Sequence, residues 1–202
     1  MNAAPPAVPH SYDVYFVTPD TPRFYFSNPN HGIAVSDRGF SWTADGHADE
    51  AAFADIAAIH LQTAALGNAE RVIDQCRIEF VNGTRLVVSN ASSNGLPDPA
   101  QTTLYRAFVR DLHGRPALRK SGTIRFTAGM APWRYKMLFV TMIVAGLFFI
   151  ATPAILAAVT GDWHALIIAG AGVVFCWPFT KMLMNNAPRD YTPDSLPDEL
   201  LS

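Results

Sequence analysis

Hydrophobic positions change their spacing along this chain, and each change marks a different kind of element. From Arg71 the sequence reads RVIDQCRIEFVNGTRLVVSNAS. Val72, Cys76, Ile78 and Phe80 alternate with Arg71, Gln75, Arg77 and Glu79, the period of a half-buried strand. Asp74 interrupts the apolar face, and Leu86 and Val88 resume it beyond Asn82-Gly83. A two-residue loop would set Phe80 opposite Arg85 and mix apolar with polar side chains on one face. A three-residue loop, Val81-Asn82-Gly83 with Gly83 left-handed, pairs Ile78 with Leu86, Cys76 with Val88 and Glu79 with Arg85, so both faces are consistent. His31 to Val35 and Gly39 to Thr43 read as short strands around Ser36-Asp37-Arg38-Gly39, with Gly39 expected at the left-handed turn position. Asp13 to Val17 and Arg23 to Ser27 are weaker strand candidates. Phe53 to Leu66 fits a helical stripe by periodicity alone, although Ile59 and Leu61 also suit a strand. Leu104, Tyr105, Phe108, Val109 and Leu112 form the stripe of an amphipathic helix. Asp98 is its N-cap, Pro99 stands in its first turn, Gln101 is placed for a capping box, and Gly114 and Pro116 end it.

Further along, polar positions almost vanish. Met137 to Val159 is a run of 23 residues without a charge, and Trp163 to Thr180 is a second run of 18, extended by Met182-Leu183-Met184 after Lys181. A helix needs about 20 apolar residues to cross a bilayer core. Only Thr160-Gly161-Asp162 separates the runs, so the sequence predicts a helical hairpin that enters a membrane and returns, over 137–159 and 163–184. Thr141 and Ala145, Ala154 and Ala158, Ala165 and Ala169, and Gly172 and Cys176 place small residues four apart. That spacing lets helices approach closely, within the hairpin or between two copies. Neither run holds an Asp, Glu or Arg at mid-depth, where ion and proton pathways need them.

The passage from His31 to His113 resembles bacterial pleckstrin-homology-like domains. The segments that carry the resemblance are GIAVSDRGFSW at 32–42, FADIAAIHL at 53–61, CRIEF and RLVVS in the hairpin, and LYRAFVRDL at 104–112. It implies a bent antiparallel sheet, nearly a barrel, plugged by a C-terminal helix. It also implies a strand from about Ala57 to Thr63, against the helical periodicity, and we follow it there. The expected fold class is therefore α+β, mainly β: such a domain over 23–116, followed by a membrane hairpin. Residues 1–22 are expected to be a flexible Pro-rich N-terminus, 117–136 a juxtamembrane segment, and 185–202 an extended, flexible tail. The tail, NNAPRDYTPDSLPDELLS, resembles those of small uncharacterised bacterial inner-membrane proteins.

Charge refines the location. Residues 1–22 hold five prolines, no Lys or Arg and no continuous apolar run, so no secretory signal is expected. Arg125, Arg134 and Lys136 precede the first run, and Lys181 and Arg189 follow or end the second, while the turn has no Lys or Arg. This asymmetry predicts a multi-pass protein of the inner membrane with both termini cytoplasmic. Net charge is only −2, and acids nearly balance bases ahead of the hairpin. A nucleic-acid partner is not expected. Cys76 and Cys176, the 2 cysteines, lie in different segments and are not expected to pair.

Chemistry is sparse. No H-E-x-x-H, G-x-S-x-G or P-loop pattern occurs, and no cofactor is expected. Asp45, His47, Asp49 and Glu50 combine imidazole and carboxylates, which are metal-ligand types; a solvated polar loop accounts for the same composition. Arg71, Arg77 and Arg85 offer a cationic strand face for an anionic headgroup, or an ordinary solvated face in which Glu79 partners Arg85. His60 is expected on a strand, His113 at the positive-charge-favouring C-terminus of its helix, and His164 at the outer interface. The expected role is non-enzymatic: a cytoplasmic module, held to the bilayer by 137–184, that binds a protein partner at the membrane. The alternatives are a metal-dependent enzyme using the His47 stretch and a subunit of a small transporter or assembly. Reporter fusions at Gly161 and Ser202 are expected to give opposite compartment signals, with Ser202 cytoplasmic; a periplasmic signal at Ser202 contradicts the topology.

Overall fold

The computed structural model describes residues 10–18, 30–44, 46–65 and 72–197. The chain divides into two compact units, Met1–Ala128 with Arg189–Ser202, and Gly129–Pro188. The first is a mixed α+β unit built on one large sheet. Among the described residues its strands are β1 (His10–Val17), β2 (Asn30–Val35), β3 (Gly39–Ala44), β4 (His47–Ala52), β5 (Ile56–Ala65), β6 (Val72–Phe80), β7 (Arg85–Ser89), β8 (Arg125–Ala128) and β9 (Arg189–Asp190). They lie in the order β4-β3-β2-β1-β7-β6-β5-β8-β9. Every neighbouring pair is antiparallel except β5 with β8, which run parallel.

The β6–β7 hairpin has the register that its alternation demands. Ile78 faces Leu86, Cys76 faces Val88 and Glu79 faces Arg85. Phe80 N–H donates to Thr84 O at 3.0 Å, closing a three-residue loop in which Gly83 has φ +83°. Strand β5 runs through the stretch whose periodicity favours a helix, after a single 3-10 turn at Phe53–Asp55. Ile56, Ala58, Ile59 and Leu61 are all buried there. The β1 candidate is longer than its sequence signal and occupies part of the expected flexible N-terminus. The Arg23 to Ser27 candidate lies outside the described residues. Gly39 does not have the left-handed conformation expected of it. It is needed for space, because a Cβ there would collide with the Ala51 carbonyl oxygen across the β3–β4 pair.

Helix α1 (Pro99–Gly114) starts where Asp98 Oδ1 accepts from Ala100 N–H at 2.9 Å. Gln101 does not complete a capping box; its Oε1 is buried without a partner among the described residues. Tyr105, Phe108, Val109 and Leu112 are each 0 % exposed and join the inner faces of the strands in one core. Phe108 meets Tyr12 of β1 edge to face, with ring centroids 5.9 Å apart. Asp111 is not solvated as its position suggests. It receives hydrogen bonds from Tyr12 at 3.0 Å and Arg115 at 2.7 Å, and Arg115 also holds Asp37 at 2.8 Å. The C-terminus of α1 is thereby tied to β1 and to the β2–β3 turn.

Two expected boundaries are corrected. The segment 117–136 is not merely juxtamembrane: it contains most of the short helix α2 (Pro116–Arg119) and all of β8. The tail 185–202 is not merely extended, because β9 pairs with β8 through Thr127↔Asp190 and Ala128↔Arg189. Tyr191 then packs against Phe126 and His113, with centroids 5.6 and 5.7 Å apart, and Asp194 pairs with Arg119. Both signals are weak in sequence because these strands are very short and pair with partners distant in the chain.

The second unit holds two helical rods long and apolar enough to cross a membrane, Pro132–Thr160 and His164–Asn185. The first consists of α3 (Pro132–Gly146), a π-helical turn at Leu147–Ala151 and α4 (Thr152–Thr160). Pro153 lacks an N–H, and in a regular α-helix its ring would press on the carbonyl four residues back; the wider turn relieves this. Leu147 O accepts twice from Thr152, from its backbone N–H and from Oγ1 at 2.8 Å. Gly161, at φ +75°, ends α4 in the left-handed conformation. On α5 (His164–Asn185) the buried residues are Ala165, Ala169, Gly172, Cys176 and Leu183. Four of these are the small residues at four-residue spacing, so on this helix the spacing serves packing within the hairpin. A Cβ on Gly172 would run into the Phe149 carbonyl oxygen in the π-helical turn.

The burial of α1 sets a stability contrast. Phe108→Ala is expected to destabilise the first unit by about 3–5 kcal/mol, whereas Arg110→Ala, on the exposed face of the same helix, should cost well under about 1 kcal/mol. Urea unfolding of the detergent-solubilised protein, followed by near-UV circular dichroism, measures both.

Candidate functional site

Strand alternation places Arg77, Glu79 and Arg85 on the outer face of the sheet. Glu79 lies between the two cations, 3.3 Å from Arg77 Nε and 3.6 Å from Arg85 Nε. Arg71 lies outside the described residues. The structure therefore brings two of the three candidate headgroup ligands together, around a carboxylate that offsets their charge.

The His47 stretch is not a loop. It forms β4, paired with β3 from Gly39↔Ala52 to Ala44↔His47. Gly46, at φ +80°, lies in the connection between β3 and β4. Asp-Gly between potential strands is a strong hairpin signal that could have found this element. Alternation in β4 sets His47 and Asp49 on one face and Glu50 on the other. Asp45 itself lies outside the described residues. No group of three or more His, Cys, Asp or Glu able to hold a metal occurs among the described residues.

The same hairpin borders a cleft of about 590 Å³ in the first unit. Its floor is aromatic. Trp42 and Phe80 stack with centroids 6.0 Å apart and planes 15° apart, and Phe40 packs against both. Asp49 stands directly across the ladder from Trp42. Glu50 and Asp55 also line the cleft, and Arg85 contributes a cation already paired with Glu79. Asp55 is held in place by accepting from Ala52 N–H at 3.3 Å. Trp42 Nε1 is shielded from solvent and has no acceptor among the described residues. Sequence spacing could not assemble this site, because its residues come from β3, β4, the 3-10 turn and the β6–β7 loop.

Two buried titratable groups complete the picture. His113 is 1 % exposed, and burial lowers its pKa to about 4. It is thus neutral, which corrects the expectation of a cation favoured by the helix dipole. Its Nδ1 is 2.7 Å from Val109 O, which can only accept, so the proton sits there and Nε2 accepts from the Tyr191 hydroxyl at 2.8 Å. Asp74 is 0 % exposed on the inner face of β6. Its Oδ1 accepts from Thr63 Oγ1 at 2.9 Å, while Oδ2 has no partner among the described residues. Its backbone N–H donates to Asn90 Oδ1 at 2.9 Å, and Asn90 Nδ2 donates to Thr102 Oγ1 in α1 at 3.1 Å. His60, on β5, lies 2.8 Å from Thr127 Oγ1 through Nδ1, and His164 stands exposed at the start of α5 beside Asp162.

No family model matches this chain, and comparison with curated proteins returns no match.

Burial raises the Asp74 pKa from 3.8 to about 6, against the lowering effects of Thr63 and Arg106. Below pH 4 the carboxyl is protonated in both folded and unfolded chains. As pH rises through 6 the folded state must ionise it in its buried place, so its contribution to stability is lost. The full swing is about 3 kcal/mol. Asp74→Asn is expected to remove this dependence, making the variant more stable than the wild type at pH 7.5 and little different at pH 4. Urea midpoints across that range measure the effect.

Proposed function

We propose that this chain is a membrane-anchored interaction module of the bacterial inner membrane, in which a pleckstrin-homology-like domain binds a protein partner at the cytoplasmic face. The observation that carries the reading is where the apolar hairpin is inserted. The chain leaves the first unit after β8 and returns as β9, adjacent antiparallel strands of one sheet. A hairpin whose two ends are neighbours in a sheet favours an even number of crossings with both flanks on one side, and the flanking Arg and Lys favour the cytoplasm. The seven-strand order β4-β3-β2-β1-β7-β6-β5, followed in sequence by α1, supports the pleckstrin-homology-like resemblance.

Recognition of a protein is favoured over recognition of an anionic headgroup. Arg77 and Arg85 already share Glu79, and the cleft's described lining holds three carboxylates, Asp49, Glu50 and Asp55, against one cation, Arg85. Strand β4 is the end of the sheet among the described strands, and an end strand suits strand addition by an extended segment. The role is non-enzymatic on this reading.

A photoreactive residue at Ala48, exposed on β4, is expected to yield a discrete adduct with another membrane protein in intact cells. The same probe at Arg110, exposed on α1, is expected to yield none. Membrane fractions lacking the chain, or equal labelling from both positions, would contradict the proposal.

A further inference from the structure

The cleft beside β4 has three properties that together define an occupant. It opens next to β4, the end strand of the sheet among the described strands. Its floor, the Trp42–Phe80 pair, is apolar and held by Phe40 beneath it. Its lining includes Asp55 and, from the two faces of the edge strand β4, Asp49 and Glu50, and neither Asp49 nor Glu50 has an ion-pair partner among the described residues. The one cation of the described lining, Arg85, is drawn to Glu79 outside the cleft. An apolar floor under a carboxylate rim matches one kind of side chain: a long aliphatic stem with a positive head. Lys and Arg lay such stems on apolar surfaces while the charge stays at the rim. Charge complementarity of this sort selects partners by repelling acidic segments as well as by attracting basic ones.

We propose that this cleft receives a lysine or arginine side chain from an extended partner segment that adds along the outer edge of β4. The inference rests on the reading of the chain as a protein-binding module and supplies the chemistry of the partner. Backbone pairing along β4 provides register, as in other strand additions. The Asp49 carboxylate, opposite Trp42, faces the head of the inserted side chain. An anionic ligand, whether headgroup or acidic peptide, is repelled by the same rim.

The test uses the full chain in uncharged detergent and three fluorescein-labelled hexapeptides, acetyl-Thr-Val-Xaa-Val-Thr-Val, with Lys, Gln or Glu at Xaa. Fluorescence anisotropy is expected to show the Lys peptide binding about tenfold more tightly than the Gln peptide at 50 mM salt, with the Glu peptide weakest and the preference reduced at 500 mM salt. The Asp49→Asn/Glu50→Gln double variant, both positions exposed, is expected to lose the Lys preference. Asp190→Asn, on the exposed strand β9, is expected to keep it. Near-UV circular dichroism verifies that each variant is folded. Equal binding of Lys and Gln peptides, absence of binding by all three, or a Lys preference that survives the double variant overturns the inference. The two proposals fail separately. If the Ala48 adduct persists in the double variant, the partner reading stands and the cleft assignment falls. If the Lys preference holds but no adduct forms in cells, the site stands and the cellular partnership falls.

Discussion

Burial of one face of α1 against the sheet is the interaction on which the remaining structure depends. Tyr105, Phe108, Val109 and Leu112 are fully enclosed, and they share one core with inward residues of β1, β2, β3, β5, β6 and β7. Because side chains alternate along a strand, a slip of one residue in any pairing would turn an apolar set toward solvent and a polar set toward α1. The helix thus penalises wrong registers across the sheet. The network of Asp111, Arg115, Tyr12 and Asp37 adds direction to this non-directional force. Burial pushes the Asp111 carboxyl up, but hydrogen bonds from Arg115 and Tyr12 outweigh it and hold the group below its ordinary range. That arrangement pins the helix end to β1 and the next turn.

Asp74 is a buried carboxyl on the apolar face of β6, and its cost locates a compromise. One oxygen is satisfied by Thr63, and the backbone around it is tied to Asn90 and through Asn90 to α1. The other oxygen is enclosed and unpaired. An apolar residue would suit the face but would not bond to Thr63. The polar chain from β5 to α1 therefore adds directionality at one end of the core while lowering stability near neutral pH.

Local signals carried the parts of the fold that depend on local pairing. The β6–β7 loop is legible because alternation on both flanks permits one consistent register, and α1 is legible from its stripe and its Asp98 cap. Periodicity alone points to a helix at β5 because Phe53, Ile56 and Ala57 mimic a helical stripe, while the strand adopted over about Ala57 to Thr63 does form, through pairing of Ile56 to Ala65 with β6. Strand β4 was hidden because a strand at a sheet edge has little to bury, so HADEAA shows no apolar alternation. Of the candidate site residues, Arg77 and Arg85 are where strand periodicity puts them, but their shared carboxylate gives the pair a structural use. The cleft was invisible in sequence because Trp42, Asp49, Asp55 and Phe80 sit in four different segments.

The pairing of β9 with β8 also fixes an order of events. Arg189, Asp190 and Tyr191 follow both apolar helices along the chain, so a ribosome must deliver the whole hairpin before the sheet can gain its last strand. Until then His113 has no hydroxyl to fill its Nε2 position, and Phe126 lacks the ring that covers it. The first unit is thus completed only after the helical segment has been made. Completion of the sheet is made to wait on synthesis of the two apolar helices.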